Sequence, residues 1–134
     1  MAKKLATRFN CPSEFALDVL GGKWKTVILC YLKYQSLRYA ELRRLLPALS
    51  DKVLSERLRE LVGKGLVTKL QAVPGRASAV YSLSTRGRSL SVLLEALYNW
   101  GTENAAAFGV KVDEPLKRLG YPATGASRAR TPDN

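Results

Sequence analysis

YAELRRLLPALSDKVLSERLRELVGKGLV, residues 39–67, decides the fold. Tyr39, Leu42, Leu45 and Leu46 recur at helical spacing, and Pro47 ends that run because it cannot continue the backbone ladder. Ser50 is placed to cap a second helix, with Asp51 in its first turn, where an acid suits the helix dipole. Leu54, Leu58, Leu61 and Val62 form the expected buried stripe of this helix, and Gly65 supplies the left-handed residue that ends it. Two short helices joined through Leu46-Pro47-Ala48-Leu49 have the spacing of a helix-turn-helix.

Upstream, Pro12 and Ser13 open a first helix that stops at Gly21-Gly22, with Phe15, Val19 and Leu20 as its apolar side. Trp24, Val27, Ile28, Tyr31 and Leu32 predict a second helix from Lys23 to about Leu32 with one buried face. Downstream, Leu66 to Val73 is β-prone, and Val73-Pro74-Gly75-Arg76 has the Pro and Gly of a type II turn. The chain should therefore return through Ala79 to Leu83 as a hairpin. Ser84 is then expected to cap one long last helix carrying Leu90, Leu93, Leu94, Leu97, Trp100 and Phe108. The fold class is mainly α with a small β-hairpin. Residues 1–10 read as a flexible basic arm, 11–110 as the folded domain, and 111–134, rich in Pro, Gly, Ala, Ser and Arg, as a disordered tail.

Charge is distributed unevenly. Between Gly21 and Arg88 stand fourteen lysines and arginines against four acids, a net of +10 out of a total of +11 for the 134-residue chain. A cationic surface concentrated on one compact unit is suited to a polyanion, and the helix-turn-helix spacing narrows that to duplex DNA. At about 100° per residue, Lys52, Glu56, Arg59 and Glu60 point away from the leucine stripe. Lys52 and Arg59 can meet guanine edges or phosphates, Glu56 can accept from a cytosine amino group, and Ser50 and Ser55 can donate near the helix start. Arg38, Arg43 and Arg44 fit backbone contacts. Arg76, near the hairpin tip, suits the minor groove or its flanking phosphates. For each of these side chains a plain solvated position is the alternative.

Other chemistry is poorly served. There is no histidine, which removes Ser-His-Asp and Cys-His catalysis, and two cysteines with scattered carboxylates make no four-ligand metal shell. No Gly-rich phosphate loop follows a strand. The sequence thus predicts no catalytic residue, no metal and no cofactor. Without an apolar run near the roughly 20 residues of a membrane helix, no membrane partner is expected and the cytoplasm is the predicted location. Cys11 and Cys30 should rest as thiols there.

The blocks Cys11-Pro12, Gly21-Gly22-Lys23-Trp24, Arg38-Tyr39-Ala40-Glu41-Leu42, Leu54-Ser55-Glu56-Arg57-Leu58-Arg59-Glu60-Leu61, Gly65-Leu66-Val67, Tyr81-Ser82-Leu83-Ser84 and Gly87-Arg88-Ser89-Leu90 stand in one order. In this the chain resembles the HxlR-type winged-helix transcriptional regulators over about Cys11 to Gly101. The hairpin between Pro74 and Tyr81 is longer than the family's usual wing, and Ala79-Val80 replaces what is commonly a Val-Glu pair. The resemblance implies a winged helix-turn-helix with an added C-terminal dimerisation helix, and a homodimer on a two-fold symmetric DNA operator. It implies that the first and last helices pack across the interface, which would use Phe15, Leu90, Leu93, Leu97, Trp100 and Phe108. The near-heptad recurrence on the last helix points the same way independently.

In several members of that family a cysteine just before the first helix senses oxidants or electrophiles, and Cys11 occupies this position. A thiol at a helix amino end near Lys23, Lys25 or the Arg8 arm can have a depressed pKa. A small packing residue is the alternative. Taken together, the sequence predicts a dimeric DNA-binding regulator, a repressor, responsive through Cys11. The rivals are a sequence-neutral architectural DNA binder, which would have little use for Glu56 and Glu60, and a regulator switched by a non-covalent small molecule.

Overall fold

The computed structural model describes residues 6–71, 74 and 78–112. Its elements run α1 Pro12–Leu20, α2 Lys25–Tyr34, β1 Leu37–Arg38, α3 Tyr39–Leu45, α4 Asp51–Gly63, β2 Val67–Leu70, β3 Val80–Leu83, α5 Thr85–Arg88 and α6 Ser91–Asn104, closing with a 3₁₀ turn over Ala106–Phe108. The chain divides between Ser89 and Leu90 into two units.

In the first unit the core is built from the periodic residues of the sequence. Ile28, Leu29, Tyr31 and Leu32 of α2, Leu42 of α3, and Leu54, Leu58 and Leu61 of α4 are all buried. Burying such a side chain contributes about 1.5–3 kcal/mol, so this set dominates the unit's stability. Val62 does not join them. It is one of the exposed large hydrophobics, because the stripe is narrower than four leucine-type positions and Val62 falls on its flank.

β3 is the central strand of a three-stranded antiparallel sheet ordered β1-β3-β2. Val67 pairs Leu83, Lys69 pairs Tyr81, and on the other side Leu37 pairs Tyr81. Val67, Leu37, Tyr81 and Leu83 turn inward. The hairpin expected from Leu66 onward is thus present, with β2 ending at Leu70; of its expected turn, Val73, Gly75 and Arg76 lie outside the described residues. β1 was not expected, since two residues carry no periodicity; it exists because the chain entering α3 passes beside β3, with the Tyr39 amide donating to the Ala79 carbonyl (2.9 Å).

The termini of α4 follow their sequence signals. Ser50 Oγ accepts from the Val53 amide (3.1 Å). At the other end the Leu66 amide reaches the Leu61 carbonyl and the Gly65 amide the Val62 carbonyl, both 3.0 Å, with Gly65 at φ +76°. That is a Schellman ending, and the buried Leu66 supplies its apolar contact. The strand that follows is aimed by this turn.

The single long last helix expected after Ser84 is instead two. Ser84 Oγ caps α5 through the Gly87 amide (2.9 Å), and α5 stops after one turn. Gly87 explains its close seating: a Cβ there would lie 2.1 Å from the Leu66 carbonyl oxygen. Ser89 then bonds Arg86's carbonyl through its own hydroxyl and divides its amide between Thr85 and Arg86, which competes with a regular helical continuation.

In the second unit α6 spans fourteen residues with Leu94 buried. Leu90 and Leu93 are half-buried, while Leu97, Trp100 and Phe108 are exposed. The Trp100 and Phe108 rings lie 6.1 Å apart, so the 3₁₀ turn carries the apolar face on past the helix end. No helix among the described residues is long and apolar enough to cross a membrane.

Candidate nucleic-acid interface

Lys52, Glu56 and Arg59 occur at i, i+4 and i+7 on α4, on one face opposite Leu54, Leu58 and Leu61. Lys52 and Arg59 are exposed and Glu56 is half-buried. Arg38, at the amino cap of α3, and Arg44, in its last turn, are also exposed. Within α3, its cap and α4 these five are charges that the fold leaves without an ion-pair partner among the described residues.

The remaining charges of the helix-turn-helix are engaged inside the protein. At the start of α4, Tyr39 Oη donates to the Asp51 carboxylate, lies 3.2 Å from the Asp51 carbonyl and 3.1 Å from Ser55 Oγ. Arg43 Nη1 donates to the Leu49 carbonyl (2.6 Å) and its Nε stands 3.6 Å from Asp51 Oδ1. These bonds tie α3, the turn and the first turn of α4 together. The Tyr31 hydroxyl adds a bond to the Leu45 carbonyl (3.3 Å) from below. Arg43 and Ser55, expected as DNA contacts, thus also hold the motif's internal geometry, and Ser50, expected likewise, accepts the cap bond while its own O–H is left to donate. Arg76 lies outside the described residues.

At the far end of α4 the structure corrects the helical-wheel expectation for Glu60. Its carboxylate does not face outward: Oε1 stands 3.1 Å from Nζ of the buried Lys25, and Oε2 3.5 Å from Arg57 Nη1. The periodicity of α4 places Glu60 off the leucine stripe, but the turn between α1 and α2 folds over that flank. Nothing local to α4 announces this. The signal available was Lys25, a charged residue one turn before Ile28 and Leu29, on a helix otherwise apolar on that side. Lys64, nearby, donates to the Val19 carbonyl (3.3 Å). Burial pushes its ammonium below the usual lysine range, as does the adjacent Lys25, with Glu60 and Asp18 opposing.

Cys11 is exposed at the amino cap of α1, where Pro12 takes the first helical position. The nearby Ser13 amide, Ser13 side chain and Glu14 amide pull its thiol below the ordinary range. The cause is the open amide end of the helix, not the lysines expected to supply it: Lys25 is buried against Glu60. Phe9 sets its ring edge against Phe15 (5.5 Å) and the Asn10 amide donates to Glu14 (2.8 Å), so the residues just before Cys11 are held onto α1. Cys30 differs in every respect. It is half-buried in α2, and desolvation pushes its thiol up to about 11, so that little thiolate is present at neutral pH.

The HxlR-like helix-turn-helix family model matches residues 19–108. An uncharacterized HTH-type transcriptional regulator of Bacillus subtilis, YtcD, is 40% identical over 99 residues, spanning 72% of this chain and 77% of its own. Among solved structures, the redox regulator HypR in its reduced form superposes with a TM-score of 0.69 at 32% identity, covering 74% of this chain and 98% of that one. Quinone-bound YodB from B. subtilis follows with a TM-score of 0.58 at 30% identity, covering 69% and 99%.

Proposed function

This chain belongs to the HxlR-like helix-turn-helix family, and is a transcriptional regulator of that type; on that premise we propose that it is a dimeric repressor that reads a specific DNA sequence and is released from it when Cys11 reacts with an oxidant or electrophile. The carrying observation is α4 itself: a capped helix with its leucines buried and Lys52, Glu56 and Arg59 left outward, the width and chemistry that a major groove accepts. Arg38 and Arg44 supply further positive charge for phosphates, and Arg76 is assigned to the wing.

Dimerisation is supported by α6. Leu97, Trp100 and Phe108 remain exposed, an expensive arrangement for a monomer, and Leu90, Leu93 and Phe15 complete the assigned interface. A two-fold dimer places paired α4 helices about one helical turn, roughly 34 Å, apart on a symmetric operator. Responsiveness is supported by the exposed, acidified Cys11 thiol and by the likeness to HypR and to YodB. Oxidation or alkylation adds bulk or a cross-link at the start of α1. The protein is assigned to the cytoplasm.

The rival of sequence-neutral packaging loses one of the two acids that argued against it, since Glu60 is internal; Glu56 alone now stands beside the expected phosphates. Genome-wide selection of bound fragments, with and without a thiol oxidant, tests the whole reading. A shared palindromic motif whose recovery falls on oxidation, and does not fall for Cys11→Ser, is the expected result. Indiscriminate recovery would assign the protein to packaging.

A further inference from the structure

The turn joining α1 to α2 is strained. Gly22 has φ +104°, and Trp24 has φ +82°, a left-handed conformation unusual for a bulky non-glycine residue. Such a conformation is unfavourable and persists only where surrounding contacts over-determine it. Here α4 supplies contacts on both sides of the turn. On one side of Trp24, Arg57 Nε donates to the Lys23 carbonyl (3.2 Å). On the other, Lys25 Nζ meets Glu60 Oε1 at 3.1 Å, both side chains mostly buried at 8% and 15% exposure. Before the turn, Lys64 Nζ reaches the Val19 carbonyl in the last turn of α1. The Lys25 stem also lies over Gly22, where a Cβ would meet its Cε at 3.6 Å. Arg57, Glu60 and Lys64 thus reach from one end of α4 to the end of α1, the strained turn and the start of α2.

We propose that Glu60, with Lys25, Arg57 and Lys64, is a positioning clamp that fixes the recognition helix against the α1–α2 turn and thereby governs DNA selectivity without touching DNA. A buried pair of opposite charges is poor evidence for stability, but it is directional. It holds the carboxyl-terminal half of α4 in one rotation about its axis, and that rotation decides which way Lys52, Glu56 and Arg59 aim. The clamp also makes α4 sensitive to α1. A displacement of α1 pulls on the Val19 carbonyl and on the strained turn. This step rests on the reading of the protein as a sequence-specific regulator.

The test uses the full chain and two substitutions, Glu60→Gln and Lys64→Met. The probes are the best duplex that the wild type enriches from a random pool and a scrambled duplex of the same length, each titrated across a salt series. For both variants, affinity for the enriched duplex should fall about five- to tenfold, while affinity for the scrambled duplex and the salt slope stay as in the wild type. A rise on both duplexes for Glu60→Gln would place its carboxylate beside phosphate and overturn the clamp. So would parallel losses on both that track a lower melting temperature, or no change on either. If Glu60→Gln does not fold, Lys64→Met, altered at a partly exposed residue, decides alone. Hydrogen exchange of residues 19–25 gives a second measure that needs no DNA. Faster exchange there in the folded variants is expected, and unchanged exchange refutes the clamp. A wild type that enriches no motif, while exchange responds as stated, refutes sequence-specific reading and leaves the clamp standing.

Discussion

Replacing Tyr39 by Phe removes one oxygen from the joint between α3 and α4 and leaves the buried ring in place. The hydroxyl is shared by the Asp51 carboxylate, the Asp51 carbonyl and Ser55 Oγ. A hydrogen bond to a charged partner contributes about 1.5–3 kcal/mol, but Asp51's side chain is 45% exposed, so water recovers part of the loss. Ser55 can turn to another acceptor, and Arg43 still reaches Asp51. The expected net cost is roughly 1–2 kcal/mol, which in a folded domain of this size is a fall of roughly 5–10 °C in melting temperature. Urea unfolding should show a lower midpoint with an unchanged slope, because the surface exposed on unfolding is the same. Loss of under about 0.3 kcal/mol would refute the network's role, since surface substitutions reach that size without any such feature. A loss above about 4 kcal/mol would mean that the ring had moved, and the near-ultraviolet spectrum of the folded variant would show it.

Three further outcomes are expected. Alkylation of Cys11 should persist to lower pH than that of a free peptide thiol, because a depressed pKa keeps thiolate present as pH falls; Ser13→Ala should move the profile back up, and Cys30 should react only on unfolding, all readable by mass spectrometry. Gly87→Ala should destabilise the chain by at least about 2 kcal/mol in denaturant titration, since its Cβ would sit 2.1 Å from the Leu66 oxygen and 3.2 Å from Leu83 Cδ2; a neutral result would mean that α5 is not seated as described. Arg59→Ala should lower the salt slope of DNA binding by about one, as loss of a phosphate or base-edge cation does, whereas Arg43→Gln should lower the melting temperature and leave the slope intact. Equal slopes for the two would return Arg43 to the interface.

Much of the first unit was legible because helical periodicity and caps are local. Ser50, Pro47, Gly65 and the stripe Leu54, Leu58 and Leu61 mark α4 almost to the residue, and the hairpin follows from the Schellman turn behind it. The errors share one physical origin. Ser84 is a cap, as its sequence signal says, but of a one-turn helix, since what stops α5 is the fit of Gly87 under the Leu66 carbonyl and the hydroxyl of Ser89. β1 and the inward turn of Glu60 depend on segments far away in sequence, namely β3 and the α1–α2 turn.

Within the candidate interface the same division holds. That an outward, cationic face exists on α4 was settled by the sequence, because a 3.6-residue repeat with leucines on one side leaves Lys52 and Arg59 on the other whatever surrounds the helix. Which charges stay available was settled only by tertiary structure. Arg43 and Glu60 look, in one dimension, no different from Lys52 and Arg59, yet they satisfy the Leu49 carbonyl, Asp51 and Lys25. Removing a buried charge from water is costly unless a partner is within reach, and a partner's reach is a distance in space that no spacing along the chain can express.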